Sequence, residues 1–358
     1  MKFFSSFLNL QNSKIEEFIK CFFYPCEKNK IFISDNHEKS IWLIAKKYQL
    51  SGFFLSNLEI NEESELKKKL KKLHKSYTLK YMLMKSDLKT INNSFKKNNL
   101  KFVVLKGMAL NQLKIYKNSE RQVRDIDILV KKEDLKECYK ELKSLGFNYY
   151  LKNTNDSCDF LYDFYHLPPL INSNNTVVEV HTSLTKSEIY KHCPLTEYAY
   201  SNCIETDNLL VPDYAALVAH AFYHGLLHHN LEEGPVFLLD TKNLQEKCNA
   251  REHKKLKELL IGLKIDDSYE IFNSFISKYK KNSKSDSASN VIRSLIESSK
   301  KKNRYTARKF LLKLKKRFTW ISYRYQIPIF STKYLWFFFL ENFKFLKDLL
   351  TPKKNIDY

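Results

Sequence analysis

Val123-Arg124-Asp125-Ile126-Asp127-Ile128-Leu129-Val130 places two carboxylates one residue apart in a run that otherwise reads as a buried β-strand. Side chains at i and i+2 of a strand share a face, so Asp125 and Asp127 project together while Ile126 and Ile128 pack behind them. Two ionised carboxylates side by side repel each other and are costly to desolvate. Divalent cations between them, commonly Mg²⁺, relieve both penalties. The competing account is a pair of strand-end carboxylates accepting turn or cap hydrogen bonds, and the apolar flanks weigh against it.

Upstream, Lys101 to Leu105 reads as a strand, Gly107 punctuates it, and Met108 to Tyr116 reads as a short helix with Ala109, Leu110 and Leu113 apolar. Lys106-Gly107 at that junction has the chemistry of a phosphate cradle, because glycine admits phosphate close to the backbone and free N–H groups at a helix start attract anions. A polar loop with Asn118 and Ser119 leads into the aspartate strand. Beyond it, Lys132 to Leu145 has helical spacing through Leu135, Cys138, Tyr139 and Leu142, with Gly146 as the stop. Strands are expected at Phe147 to Leu151, near His166 to Ile171, and at Thr176 to His181, the last two joined as a hairpin by Asn172-Ser173-Asn174-Asn175. Glu179, between Val178 and Val180, is the candidate third carboxylate, since an unpaired charge in mid-strand is expensive. A lysine across the sheet would satisfy it equally.

Taken in order, Lys106-Gly107, Arg121, Arg124, Asp125-x-Asp127 and Glu179-x-His181 resemble the uncharacterised bacterial nucleotidyltransferases of the DNA polymerase β-like superfamily. Their pattern is a Leu-Lys-Gly turn, a short helix, an Arg-rich approach to Asp-x-Asp on a strand, and a later Glu-x-His. The resemblance spans roughly residues 100 to 245, with His220 and Leu238-Leu239-Asp240 matching a downstream His-containing helix and a Leu-Leu-Asp segment. It implies an α/β (α+β) nucleotidyltransferase core with a small mixed sheet, flanked by helical regions. It also implies a Mg²⁺-dependent enzyme, with Mn²⁺ as the alternative ion, that moves NMP from an NTP to an acceptor hydroxyl and releases pyrophosphate. In that scheme Asp125, Asp127 and Glu179 hold two metal ions, and Glu179 helps deprotonate the acceptor. Lys106 and Gly107 hold the β and γ phosphates, and Arg121 or Arg124 reaches the same charge. Gly107-Met108 departs from the superfamily's usual Gly-Gly or Gly-Ser, so a serine contact to phosphate is absent. The two arginines have an alternative role as salt-bridge partners of the aspartates, and Lys106 one as a solvated strand-end residue.

The flanks read differently from the core. Residues 1–100 form a helical N-terminal region, clearest from Glu65 to Phe95, where Leu66, Leu70, Leu73, Tyr77, Tyr81, Met84, Leu88, Ile91 and Phe95 recur at helical steps. Residues 101–194 form the catalytic core, and 195–358 a helical C-terminal region opened in part by Pro212-Asp213. His220 and His224 lie four apart there; packing, substrate or phosphate contact, and zinc are the alternatives, and no third zinc ligand is placed. His166 and His181 have no assigned role, and Asp240 caps a helix or orients a histidine. Asn282 to Ser289 reads as a loop.

Composition bounds the class. Over 358 residues the chain is 43% hydrophobic and 14% aromatic, which is globular rather than disordered. Its net charge of +21 fits nucleic acid, nucleotide or anionic membrane as partner, but of 61 basic residues eight are Arg, and AT-rich coding accounts for so many lysines equally well. Seven scattered cysteines without a CxxC pair imply neither disulfides nor a zinc site and fit a cytoplasmic protein. The first ten residues read as helix turns rather than a signal peptide, and no run reaches a membrane span. The tail, with Lys300-Lys301-Lys302, Arg304, Arg308 and Arg317 ahead of Tyr334 to Leu340, suits an amphipathic packing helix, RNA, or peripheral contact with an anionic bilayer. The acceptor is therefore left open among a small metabolite, RNA and protein, and the alternative function is a non-catalytic RNA- or membrane-surface-binding protein that retains the fold.

Overall fold

The computed structural model describes residues 31–32, 35–116, 120–149, 169–185, 194–228 and 236–280. The expectations for the first ten residues, for His166, for Asn282 to Ser289 and for the basic tail lie outside these residues. The described chain opens with β1 (Ile31–Phe32), α1 (Asp35–Tyr48), α2 (Ser51–Asn57), β2 (Leu58–Glu59) and α3 (Glu65–Lys97), and β1 pairs with β2 in parallel. Ser64 caps α3 by accepting a hydrogen bond from the Lys67 N–H at 3.2 Å. The expected stripe is its inward face: Leu66, Leu70, Met84, Leu88, Ile91 and Phe95 are buried, and Leu73, Tyr77 and Tyr81 are half-buried.

The core comprises β3 (Phe102–Val104), α4 (Lys106–Gln112), β4 (Ile126–Val130), α5 (Leu135–Ser144), β5 (Asn148–Tyr149), β6 (Leu170–Ile171) and β7 (Val177–His181). Its five strands lie in the order β3-β4-β7-β6-β5, with β4 and β7 parallel and the other three pairs antiparallel. Every residue of β4 is buried, as a central strand covered on both faces requires. The helix α4 starts two residues earlier than Met108 and stops at Gln112 rather than Tyr116, because Lys114 turns into the left-handed region at φ 52°. The strand β4 starts at Ile126, which leaves Asp125 on the bend before it. Gly146, at φ +85°, ends α5 as expected: its N–H reaches the Lys143 carbonyl at 2.9 Å while the Phe147 N–H reaches that of Leu142 at 3.0 Å, a Schellman closure. In the β6–β7 hairpin the Asn172 side-chain oxygen accepts from the N–H groups of Asn174 and Thr176, both at 3.0 Å.

The remainder is α6 (Leu195–Ser201), β8 (Cys203–Thr206), β9 (Leu209–Pro212), α7 (Tyr214–Tyr223), a π-turn (His224–His228), α8 (Val236–Gln245), α9 (Ala250–Gly262) and α10 (Asp266–Lys280). The hairpin β8–β9 is an addition to the region read as helical from residue 195. Its two-residue turn places Asp207 at φ 49° and Asn208 at φ 62°, the double left-handed geometry of a type I′ turn, which Asp and Asn tolerate without a glycine. Asp213 caps α7 by accepting from the Ala216 N–H at 2.9 Å, and α7 is buried almost all round between α6, α8 and α9. Together these elements make a mixed α/β fold, a small mixed sheet flanked by N- and C-terminal helices. No helix among the described residues is long and apolar enough to cross a membrane.

Gly225 in the π-turn allows the closest approach in this region, since a Cβ built on it would fall 2.1 Å from Phe237 Cγ of α8. Gly225→Ala is therefore expected to destabilise the fold by about 1–3 kcal/mol through overpacking. A thermal melt unchanged by this substitution would show that α8 does not bear on the turn.

Candidate active site

The parallel register of β4 and β7 sets Asp127 opposite Glu179 and Leu129 opposite His181. Glu179 and His181, two apart on β7, share the face on which Asp127 lies. One ligand atom from each of Asp127, Glu179 and His181 falls within 4.8 Å of the others. His181 Nε2 is 2.8 Å from Asp127 Oδ1 and 3.7 Å from Glu179 Oε2. Asp127 and His181 are buried and Glu179 is half-buried.

The end of β3 delivers a cation to this cluster. The Leu105 N–H donates to the Asp127 carbonyl at 2.9 Å, and Lys106 then takes φ 48°, an uncommon conformation for a residue with a side chain. Lys106 Nζ lies 2.6 Å from Asp127 Oδ1 and 3.7 Å from Glu179 Oε2. Burial would push the Asp127 carboxyl up, but Lys106 and a hydrogen bond from His181 outweigh it and hold the group well below the usual range. Burial and then the Asp127 charge push Asp125 up to about 7, and the same two causes raise Glu179. Burial opposes the charged form of Lys106, yet Asp127 and Glu179 raise its pKa well above that of a free lysine. Asp127 and Glu179 thus share one ammonium, and their oxygens with the His181 nitrogen form a donor set that fits a divalent cation.

Asp125, Glu179, His181, Lys106 and Gly107 line one cavity of about 280 Å³, whose other wall is Leu217, His220 and His224 with Phe237 and Asp240. Asp125 belongs to this cavity but not to the tight group of three ligand atoms. A Cβ on Gly107 would meet Arg121 Nη1 at 3.3 Å and Val123 Cγ1 at 3.4 Å, so what crowds that position here is the arginine. Arg121 does not bridge to the aspartates of the strand; its Nε and Nη2 grip Asp240 of α8 at 3.2 Å, and Tyr116 donates to the same carboxylate at 2.5 Å. Asp240 is therefore an ion-pair partner rather than a helix cap or a histidine's orienter. Arg124, at the exposed rim, donates to the Lys47 carbonyl at 3.2 Å. His220 is buried against the ring of His224, with centroids 5.5 Å apart, and among the described residues no third ligand joins the two.

Sequence reading left His181 without a role, although the signal was present: the spacing Glu179-x-His181 on a strand puts both on one face. Tyr116 gave no signal, because its partner is 124 residues away. No curated protein matches the chain. The family model described as "Uncharacterised nucleotidyltransferase" matches residues 34–273, well beyond the 100–245 stretch that carried the resemblance, and the chain belongs to this family of the polymerase β-like superfamily.

Proposed function

We propose that the protein transfers a nucleoside monophosphate from an NTP to an acceptor hydroxyl. The observation that carries this reading is the meeting of Asp127, Glu179 and His181 within 4.8 Å, with Glu179 and His181 opening onto a cavity that Asp125 and Lys106 also line. In family context such a cluster is the place for Mg²⁺ or Mn²⁺; bound there, divalent cations would screen the triphosphate and lower the pKa of the acceptor hydroxyl. Asp127, Glu179 and Asp125 are the carboxylates to hold two ions, with His181 supplying a nitrogen that suits Mn²⁺ better than Mg²⁺. Lys106 and Arg121 face the charge that develops on the phosphates, and the backbone at Gly107 lies beside them. The acceptor oxygen forms its bond to the α-phosphorus as the bond to pyrophosphate breaks. Glu179, at the half-buried edge of the cluster on the cavity, is the carboxylate to take the acceptor's proton. His220, on the opposite wall, contacts the nucleotide or acceptor.

The test is to incubate purified protein with each α-labelled NTP, Mg²⁺ or Mn²⁺ and fractionated cell extract containing small molecules, RNA and protein. Label transfer with pyrophosphate release is expected from one or more NTPs, and none from the Asp125→Asn/Asp127→Asn protein. Folded wild-type protein inert with all four NTPs would instead favour a fold retained for binding.

A further inference from the structure

We infer that Lys106 is the resident counter-cation of the carboxylate cluster: it occupies the metal ligands when no nucleotide is bound and leaves when a polyphosphate offers its ammonium another partner. The inference rests on reading Asp127, Glu179 and His181 as metal ligands. Lys106 Nζ and His181 Nε2 approach the same oxygen, Asp127 Oδ1, at 2.6 and 2.8 Å, and both lie 3.7 Å from Glu179 Oε2. A divalent cation binds oxygen at about 2.0–2.6 Å, so an ion drawn to Asp127 and Glu179 competes with the ammonium for the same oxygens and is repelled by its charge. The competition is built into the backbone, because the left-handed turn at Lys106 roots this side chain between β3 and α4, directly beside the Asp127 strand. Lys106 is half-buried on the cavity wall and so has an open side toward which to move.

No proton need be lost in this exchange. A lysine side chain is an ammonium at neutral pH, so it moves as a cation from carboxylate to phosphate while the incoming ion takes its place. Arg121 is a poor substitute for it, being gripped by Asp240 from the other wall. Metal uptake is thereby coupled to nucleotide uptake: the empty site binds metal weakly, and the polyphosphate makes room for the ion by drawing Lys106 away.

The test measures Mn²⁺ binding to the full chain without nucleotide, by the EPR signal of free Mn²⁺. Lys106→Met is expected to bind Mn²⁺ about 10-fold more tightly than wild type, within the usual range of coupling between two occupants of one site, and Lys106→Arg to remain as weak as wild type. A second measurement needs no variant: acylation of Lys106 by a succinimidyl ester, located by mass spectrometry, should rise when wild-type protein is saturated with Mn²⁺. Equal Mn²⁺ affinity in wild type and Lys106→Met, or acylation of Lys106 unchanged by bound Mn²⁺, overturns the inference and leaves the metal site standing. Folded wild type and Lys106→Met that both ignore millimolar Mn²⁺ would remove the metal-site reading itself. If Lys106→Met does not fold, the acylation result decides.

Discussion

Asp127→Asn is expected to lower nucleotidyl transfer by about 10²–10³-fold or more, the scale on which removal of one pre-organised electrostatic contact acts. Asp127 is the hub of the cluster, touched by both Lys106 and His181 through one oxygen. An amide keeps the shape and removes the charge, so the loss should appear in kcat and in Mn²⁺ binding together. Asp125→Asn should separate activity from stability. Burial and the charge of Asp127 raise the Asp125 carboxyl from its ordinary 3.8 to about 7, so the folded state prefers the acid form. That preference contributes stability fully below about 3.8 and loses it as the pH rises through about 7. Without metal, Asp125→Asn should therefore melt above wild type at pH 8, with the gap narrowing at pH 5, while transfer falls. Wild type melting higher than the variant at pH 8 in EDTA would mean that Asp125 is not held against like charge.

The parts of this fold that local chemistry determines were legible before any coordinates. The Lys101–Leu105 strand, the Gly146 stop and the Asn-rich turn each announce themselves within a few residues, and the aspartate strand declares its burial by its apolar flanks. The hairpin β8–β9 was hidden because its turn uses Asp207-Asn208 instead of glycine and sits between two helices. The candidate site divides along the same line. Strand periodicity and the family pattern suffice to single out Asp125, Asp127 and Glu179 as candidates, of which the structure brings Asp127 and Glu179 into one cluster. The opposition of Asp127 and Glu179 follows only from the parallel register of two strands separated by a crossover, which no local signal encodes. The partner of Arg121 is hidden from the sequence for the same reason. Glu120 is its neighbour in sequence and Asp125 and Asp127 follow within the next strand, but the side chain turns away from that strand to Asp240, 119 residues on.

That long-range pair carries the largest expected effect on stability. Arg121 and Asp240 meet in a two-pronged contact with side chains only 20% and 8% exposed, and the Tyr116 hydroxyl completes the carboxylate's partners. Asp240→Ala removes the acceptor from both a guanidinium and a buried hydroxyl, and should cost about 3–5 kcal/mol. Denaturant unfolding measures this. The double variant Arg121→Met/Asp240→Leu should recover much of the loss, because apolar replacement of a buried pair is often neutral or better. A double-mutant cycle with no coupling would show that the contact adds nothing beyond its separate groups. The pair also has a functional reading that stability alone does not explain. It joins the loop before β4 to α8 and fixes the guanidinium beside Gly107, where a Cβ would already crowd it at 3.3 Å. If Arg121 meets the triphosphate there, Asp240→Asn, which keeps the shape but loosens the grip, should raise KM for the NTP more than it lowers kcat, whereas a purely structural pair would leave KM unchanged in the fraction that folds.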